Sequence, residues 1–143
     1  MTITKDKILV LDNYDSFTYN LVHILKELTH GGLVDVYRND KIALDDVEYY
    51  DKIVLSPGPG VPDEAGILKP LIARYGASKS IFGVCLGCQA IAEVYGGKLI
   101  NLNKVYHGVA TPVNIVDSND RSFRHLVDTI EAGRYHSWVI DPK

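Results

Sequence analysis

A cysteine with a glycine two residues away on each side is the residue best suited to chemistry in this chain. The segment Gly83-Val-Cys-Leu-Gly87 has the pattern of a nucleophile on a sharp turn from a strand into a helix, where the crowded backbone needs small flanking residues. The N-terminus of the following helix favours the thiolate form of Cys85. The backbone N–H of Leu86, at the start of that helix, is available to stabilise an oxyanion. The pattern therefore predicts a nucleophilic cysteine with an oxyanion donor beside it.

Cys85 and Cys88 also form a C-x-x-C pair, which is the spacing of thioredoxin-like redox sites and of half a zinc site. A zinc ion needs about four ligands, and the sequence has no second cysteine pair. The histidines show no ligand spacing; they are His23, His30, His107, His125 and His136. We therefore expect no metal site, and a redox role for the two cysteines stays open as an alternative.

A loop rich in proline and glycine, Ser56-Pro-Gly-Pro-Gly60, follows an apolar run. Prolines fix the loop and remove donors, whereas glycines let a backbone N–H approach a ligand closely. This combination suits a rigid oxyanion donor, although an ordinary turn at the end of a strand has the same composition. It is neither G-x-G-x-x-G nor a phosphate-binding loop, so a nucleotide site is not supported.

The elements that must position these segments alternate between strands and helices. Apolar runs predict strands over 8–11, 34–37, 53–55 and 81–84, and helical spacing predicts helices over 17–28, 63–75 and 89–95. Pro70 argues against one unbroken helix over 63–75. After Gly97 we expect shorter strands over 98–100, 109–116 and 129–135, with a short helix over 122–127.

This alternation predicts an α/β fold with an open, mainly parallel sheet flanked by helices. Ligands of such sheets bind at the carboxyl ends of the strands. Three unusual segments, 13–16, 57–60 and 85–89, each follow a strand, so we expect them to form one site.

Composition sets the class of protein. The 143 residues, 46% hydrophobic and 23% charged, predict a single globular domain over 1–143. A net charge of −3 argues against a nucleic-acid or anionic-membrane partner. No signal peptide and no apolar stretch of about 18 residues is evident. With two closely spaced cysteines that cannot staple the fold, we expect a cytoplasmic protein.

Four segments together resemble the class I, triad-type glutamine amidotransferases, and most of all the glutaminase subunits of anthranilate synthase and aminodeoxychorismate synthase. The resemblance implies a flavodoxin-like sheet fold and covers essentially the whole chain. The segments are Asp12-Asn-Tyr-Asp-Ser-Phe-Thr-Tyr-Asn20, Ser56-Pro-Gly-Pro-Gly60, Phe82-Gly-Val-Cys-Leu-Gly-Cys-Gln-Ala-Ile91 and Gly133-Arg-Tyr-His-Ser137.

The resemblance implies that Cys85 attacks the side-chain amide of glutamine and forms a glutamyl thioester. Backbone N–H groups of Gly58 and Leu86 would hold the oxyanion. Ammonia would pass to a separate subunit that aminates chorismate, with anthranilate synthase favoured over aminodeoxychorismate synthase. Segments 13–16 and 107–108 would lie toward that partner. No metal or organic cofactor is implied. The implied glutamine-binding residues are Gly58, Pro59, Gly60, Gln89, Ser137 and Trp138.

Two departures from the family pattern qualify this interpretation. Cys88 stands where the family usually has histidine, which creates the C-x-x-C pair. The family completes its triad with a His-x-Glu pair downstream of the Tyr-His-Ser motif, and this chain contains none. We therefore expect the domain to be incomplete at its C-terminal end and this chain alone to have little glutaminase activity. A non-catalytic binding module is a further alternative, and His136 is a weak candidate for a substitute base.

Overall fold

The computed structural model describes residues 6–143; the first five residues, part of the segment in which no signal peptide is evident, lie outside it. The chain forms two compact units. One runs to Leu99 and includes Ile140–Lys143, and the other is Ile100–Val139. Among the described residues, no helix is both long enough and apolar enough to cross a membrane.

The first unit is built on four parallel strands. β1 (Lys7–Asp12) pairs with β2 (Leu33–Arg38) on one side and β3 (Lys52–Leu55) on the other, and β3 also pairs with β4 (Ser80–Gly83). The sheet order is β2-β1-β3-β4. The helices are α1 (Thr18–Leu28), α2 (Leu68–Tyr75) and α3 (Leu86–Val94), with short 3-10 segments at Leu44–Tyr49 and Pro62–Glu64. The predicted α/β fold with a parallel sheet flanked by helices is confirmed.

The two central strands, β1 and β3, are buried on both faces, which explains their continuous apolar sequences. Because side chains alternate along a strand, Leu9 and Leu11 pack in one cluster with α2 and α3, whereas Ile8 and Val10 pack in another with Val22 of α1. Leu9, Val10 and Leu11 are fully buried. Burial of each such side chain contributes about 1.5–3 kcal/mol, so these residues anchor the central strand.

Strand register brings three loops to one edge of the sheet. Leu11, the next-to-last residue of β1, is level with Leu55 at the end of β3, and Leu55 is level with Gly83 at the end of β4. The segments that follow these strands therefore leave the sheet side by side, as the sequence predicts.

The predicted helix over 63–75 is interrupted, but not at Pro70. A 3-10 turn ends at Glu64, Gly66 adopts a positive φ of 55°, and α2 begins at Leu68. Pro70 is the third residue of α2, within the first turn, where its missing N–H has no intrahelical partner to lose.

β5 (Leu99–Asn114) and β6 (Thr129–Ile140) pair as a two-stranded sheet. All their residues except Leu99 and Ile140 belong to the second unit. The separate strands expected over 98–100 and 109–116 are one strand. The helix expected over 122–127 is wrong, because this segment consists of turns. Carboxylates of Asp117 and Asp120 accept hydrogen bonds from backbone N–H groups two residues later, at 2.9 and 2.7 Å, and such local bonds compete with a helix.

Candidate active site

Cys85 occupies a strained turn between β4 and α3. Its φ and ψ are 51° and −106°, a backbone conformation that residues with a Cβ rarely adopt. On the strand side, the N–H of Val84 donates to the carbonyl of Leu55 at 3.0 Å; on the helix side, the N–H of Gln89 donates to the carbonyl of Cys85 at 3.0 Å. The side chain is exposed and the thiol is free. This is the geometry that the glycine-flanked motif predicts for a presented nucleophile.

The two flanking glycines are required by close backbone packing within this turn. A Cβ on Gly83 would lie 2.5 Å from the carbonyl carbon of Gly87, and a Cβ on Gly87 would lie 2.6 Å from the Cβ of Leu55. Real Cβ atoms do not approach other heavy atoms so closely. The spacing of the motif therefore reflects the contact of α3 with β3 and β4.

The residues that carry the two candidate oxyanion donors contact each other through the Leu86 side chain. A Cβ on Gly58 would lie 2.8 Å from the Cδ2 atom of Leu86 and 2.5 Å from the carbonyl oxygen of Asn13. The Pro-Gly loop thus packs against both the start of α3 and the loop after β1. The expected convergence of segments 13–16, 57–60 and 85–89 is confirmed in this respect. Pro59 and Gly60 are exposed beyond this contact.

Cys85 is exposed as a residue, but partial burial of its sulfur raises the pKa of the thiol above its ordinary value. The N–H of Leu86 donates toward the sulfur and lowers the pKa, whereas the negative charges of Asp15 and of a Cys88 thiolate raise it. Loss of hydration thus opposes the effect of the helix N-terminus at the Cys85 sulfur, and the preference for the thiolate stays a prediction. The Leu86 N–H nevertheless points to the atom beside which an oxyanion would form.

Gln89 is the fourth residue of α3, and its N–H donates to the carbonyl of Cys85, the residue that precedes the helix. Its side chain is 8% exposed. A buried amide one turn from the thiol is suitably placed for recognising a polar substrate. Its role in glutamine binding stays a prediction.

Ser137 and Trp138 lie on β6, in the second unit. Their role in glutamine binding is likewise untested. The neighbouring His136 accepts a hydrogen bond at Nε2 from the Nε of Arg134 (3.2 Å), and its Nδ1 is 3.2 Å from the carbonyl of Trp138. The neutral tautomer that satisfies both contacts carries its proton on Nδ1 and uses its Nε2 lone pair. This arrangement gives His136 a structural role within the hairpin.

Two observations bear on metal and redox chemistry. Among residues 6–143, no group of three or more histidine, cysteine or acidic side chains is arranged to hold a metal ion. Both thiols are free and exposed, and Cys88 acts electrostatically on Cys85. The described residues therefore offer two free thiols three positions apart.

A buried polar network beneath the Pro-Gly loop is absent from the sequence-based prediction. Asn13, Asn39 and Ser56 are 2%, 6% and 0% exposed. Each directly follows the last residue of a strand in the parallel sheet. A polar residue directly after a strand is the feature of the sequence from which this network could have been predicted. For Asn39, which directly follows β2, no motif pointed to the site.

Comparison with known proteins agrees with this geometry. The family model "Glutamine amidotransferase class-I" matches residues 9–143. The fold also resembles a crystal structure of a glutamine amidotransferase from Thermotoga maritima, with a TM-score of 0.79 over 96% of this chain and 63% of that one, at 18% identity. The chain belongs to the class-I glutamine amidotransferase family.

Within this family, relatives from two kinds of synthase are similar to the chain. It is 46% identical to aminodeoxychorismate synthase component 2 of Escherichia coli over 137 residues, covering 94% of this chain and 71% of the relative. It is 45% identical to anthranilate synthase component 2 of Thermus thermophilus over 136 residues, covering 94% of this chain and 65% of the relative. The Bacillus subtilis relative, 44% identical with 69% of its length covered, is named for both synthases. The chain thus spans about two thirds of these relatives.

Proposed function

We propose that this chain is the glutaminase subunit of a chorismate-aminating synthase, with Cys85 as its nucleophile. The observation that carries the proposal is the contact of Gly58 with Leu86 beside the strained Cys85. Two backbone donors on segments that contact each other, one of them on the residue after the exposed Cys85, suit a tetrahedral intermediate of acyl transfer. Membership of the amidotransferase family supports glutamine as the acyl donor.

In the proposed reaction, the sulfur of Cys85 attacks the side-chain carbonyl carbon of glutamine. The carbonyl π electrons move to oxygen, and N–H groups of Gly58 and Leu86 stabilise the resulting negative charge. Collapse of the intermediate breaks the carbon–nitrogen bond and releases ammonia, which carries away the thiol proton. Water then hydrolyses the thioester to glutamate and regenerates the thiol. Pro59, Gly60, Gln89, Ser137 and Trp138 are proposed to bind the substrate.

Proton transfer is the weak step for this chain alone. The pKa of Cys85 is raised, first of all by burial, so a base is needed to form the thiolate near neutral pH. The family pattern supplies it from a His-x-Glu pair that these 143 residues do not contain. We therefore expect weak glutamine turnover but intact glutamine recognition.

Labelling of Cys85 tests the proposal directly. An electrophile that mimics glutamine should modify Cys85 and spare Cys88, and added glutamine should protect against it; intact and peptide mass spectrometry measure both. Cys85→Ser should abolish the labelling, whereas the matched variant Cys88→Ser should keep it. Equal labelling of both thiols without protection by glutamine would contradict the proposal.

The synthase partner is a finer proposal. We propose anthranilate synthase, with aminodeoxychorismate synthase as the alternative; relatives of both kinds are similar to the chain to nearly the same degree. Ammonia would pass to the chorismate-aminating subunit of that synthase. Pull-down of each synthase subunit from the source organism with the full-length gene product tests this choice. Binding of the aminodeoxychorismate subunit alone would overturn it.

A further inference from the structure

The serine that begins the Pro-Gly loop contacts the peptide that carries one of the proposed oxyanion donors. Ser56 is fully buried. Its hydroxyl accepts a hydrogen bond from the backbone N–H of Asn13 at 2.8 Å and donates one to the carbonyl oxygen of Pro57 at 2.6 Å. The hydroxyl therefore uses its single proton on the Pro57 carbonyl.

That carbonyl belongs to the same peptide plane as the N–H of Gly58. No cis peptide bond occurs among the described residues, and in a planar trans peptide the C=O and N–H groups point in opposite directions. Fixing the Pro57 carbonyl toward Ser56 therefore directs the Gly58 N–H away from the buried serine. Because prolines have no N–H, Gly58 carries the only backbone donor across 57–59.

Asn13 holds the serine in turn. Its side-chain Nδ2 donates to the Ser56 carbonyl at 2.9 Å, and its Oδ1 accepts from the Nδ2 of Asn39 at 3.0 Å. All three side chains are buried, so water does not compete for these bonds. The network joins the ends of β1, β2 and β3 beneath the Pro-Gly loop.

We propose that Ser56 is a positioning residue that orients the Gly58 N–H for the oxyanion, and that Asn13 fixes Ser56 for this purpose. The inference rests on the proposed function, because it concerns the oxyanion of that same acyl transfer. The Ser56 hydroxyl would thus stabilise the transition state of acylation and would not strengthen glutamine binding.

The test compares two reactions of Cys85 that differ in their need for an oxyanion hole. An activated γ-glutamyl ester acylates the thiol through a tetrahedral oxyanion, forming a thioester and releasing an alcohol that takes up the thiol proton. Iodoacetamide alkylates the same sulfur by direct displacement of iodide, without an oxyanion. The ratio of the two rates, followed by intact mass spectrometry in a Cys88→Ser background, cancels differences in thiol pKa and exposure.

Ser56→Ala should lower this ratio about 10- to 100-fold, somewhat less than outright loss of an oxyanion donor, with little change in the ester concentration that gives half-maximal acylation. Ser56→Thr, which retains the hydroxyl, should recover much of the ratio. Ser78→Ala is the matched control, because the Ser78 hydroxyl also donates to a backbone carbonyl, that of Tyr75 at 3.3 Å. It should leave the ratio unchanged.

A second variant keeps the test decisive if Ser56→Ala does not fold. Asn13→Ser removes the amide contacts but keeps the backbone N–H toward Ser56, and it should lower the ratio by a smaller factor. If the folded variants keep the unmodified chain's ratio of acylation to alkylation, the positioning role of Ser56 is overturned. That result would leave the proposed function standing, provided that glutamine still competes with the ester. Absence of saturable, glutamine-competed acylation in the unmodified chain would instead contradict the proposed function.

Discussion

Gly58 lies directly against Asn13: a Cβ at position 58 would come within 2.5 Å of the Asn13 carbonyl oxygen and 2.6 Å of its Cβ. This contact joins the loop after β3 to the loop after β1, and Gly58 lies two residues after the buried Ser56. The Pro-Gly loop can therefore lie in this position only because residue 58 has no Cβ atom. The position of the loop in turn brings Gly58 against Leu86.

Gly58→Ala should disrupt this arrangement, because the added methyl group meets backbone and the loop must move. We expect a loss of about 1–3 kcal/mol in the free energy of unfolding, as for other overpacked sites, and a fall of roughly 100-fold in ester acylation of Cys85. Urea denaturation and intact mass spectrometry measure the two effects. Gly133→Ala is the control, since its Cβ would come no closer than 3.3 Å to a ring carbon of Tyr135; equal effects of both substitutions would contradict the argument.

The pH dependence of Cys85 alkylation follows from its raised pKa. Burial favours the neutral thiol, so the rate with iodoacetamide should be low at neutral pH and rise through an inflection above that of a free cysteine peptide. Asp15→Asn removes a negative charge that raises the pKa, and should increase the rate at pH 7 severalfold at most. Asp117→Asn, in the hairpin connection, should not change it. An inflection below that of the free peptide would show that the helix N-terminus dominates.

The sequence predicted those parts of the fold and site that depend on local patterns. Continuous apolar runs gave the buried strands, and the glycines around Cys85 gave the strained turn. It did not give the Asn13–Asn39–Ser56 network, because hydrogen bonds across three strand ends depend on sheet order, and no local motif marks Asn39. The prediction of a helix over 122–127 was wrong because aspartate carboxylates accept hydrogen bonds from nearby backbone N–H groups. The raised pKa of Cys85 depends on tertiary burial, which the helix-terminus rule omits.

His136 offers a test of the substitute-base hypothesis. Both of its ring nitrogens have partners within β6, so the Nε2 lone pair is not free to accept a proton without breaking the contact with Arg134. His136→Gln should therefore leave the pH profile of Cys85 alkylation unchanged. Its effect should appear in the thermal stability of the chain, measured by circular dichroism. If the rate of Cys85 alkylation no longer rose with pH in the variant, that result would support His136 as the base.

The C-x-x-C pair predicts reversible oxidative inactivation. One thiolate attacks oxidised glutathione and releases one reduced glutathione; the second thiolate then attacks the mixed disulfide and releases another, leaving a Cys85–Cys88 disulfide. The nucleophile is consumed, so ester acylation should be lost and should return after treatment with dithiothreitol. Both thiols are exposed, and Cys88 lies in the first turn of α3, three residues from Cys85, so the reaction requires no global unfolding. Peptide mass spectrometry identifies the bond, and Cys88→His, which restores the usual residue of the family, should prevent it. Oxidised protein without a Cys85–Cys88 bond would show that the pair has no redox role.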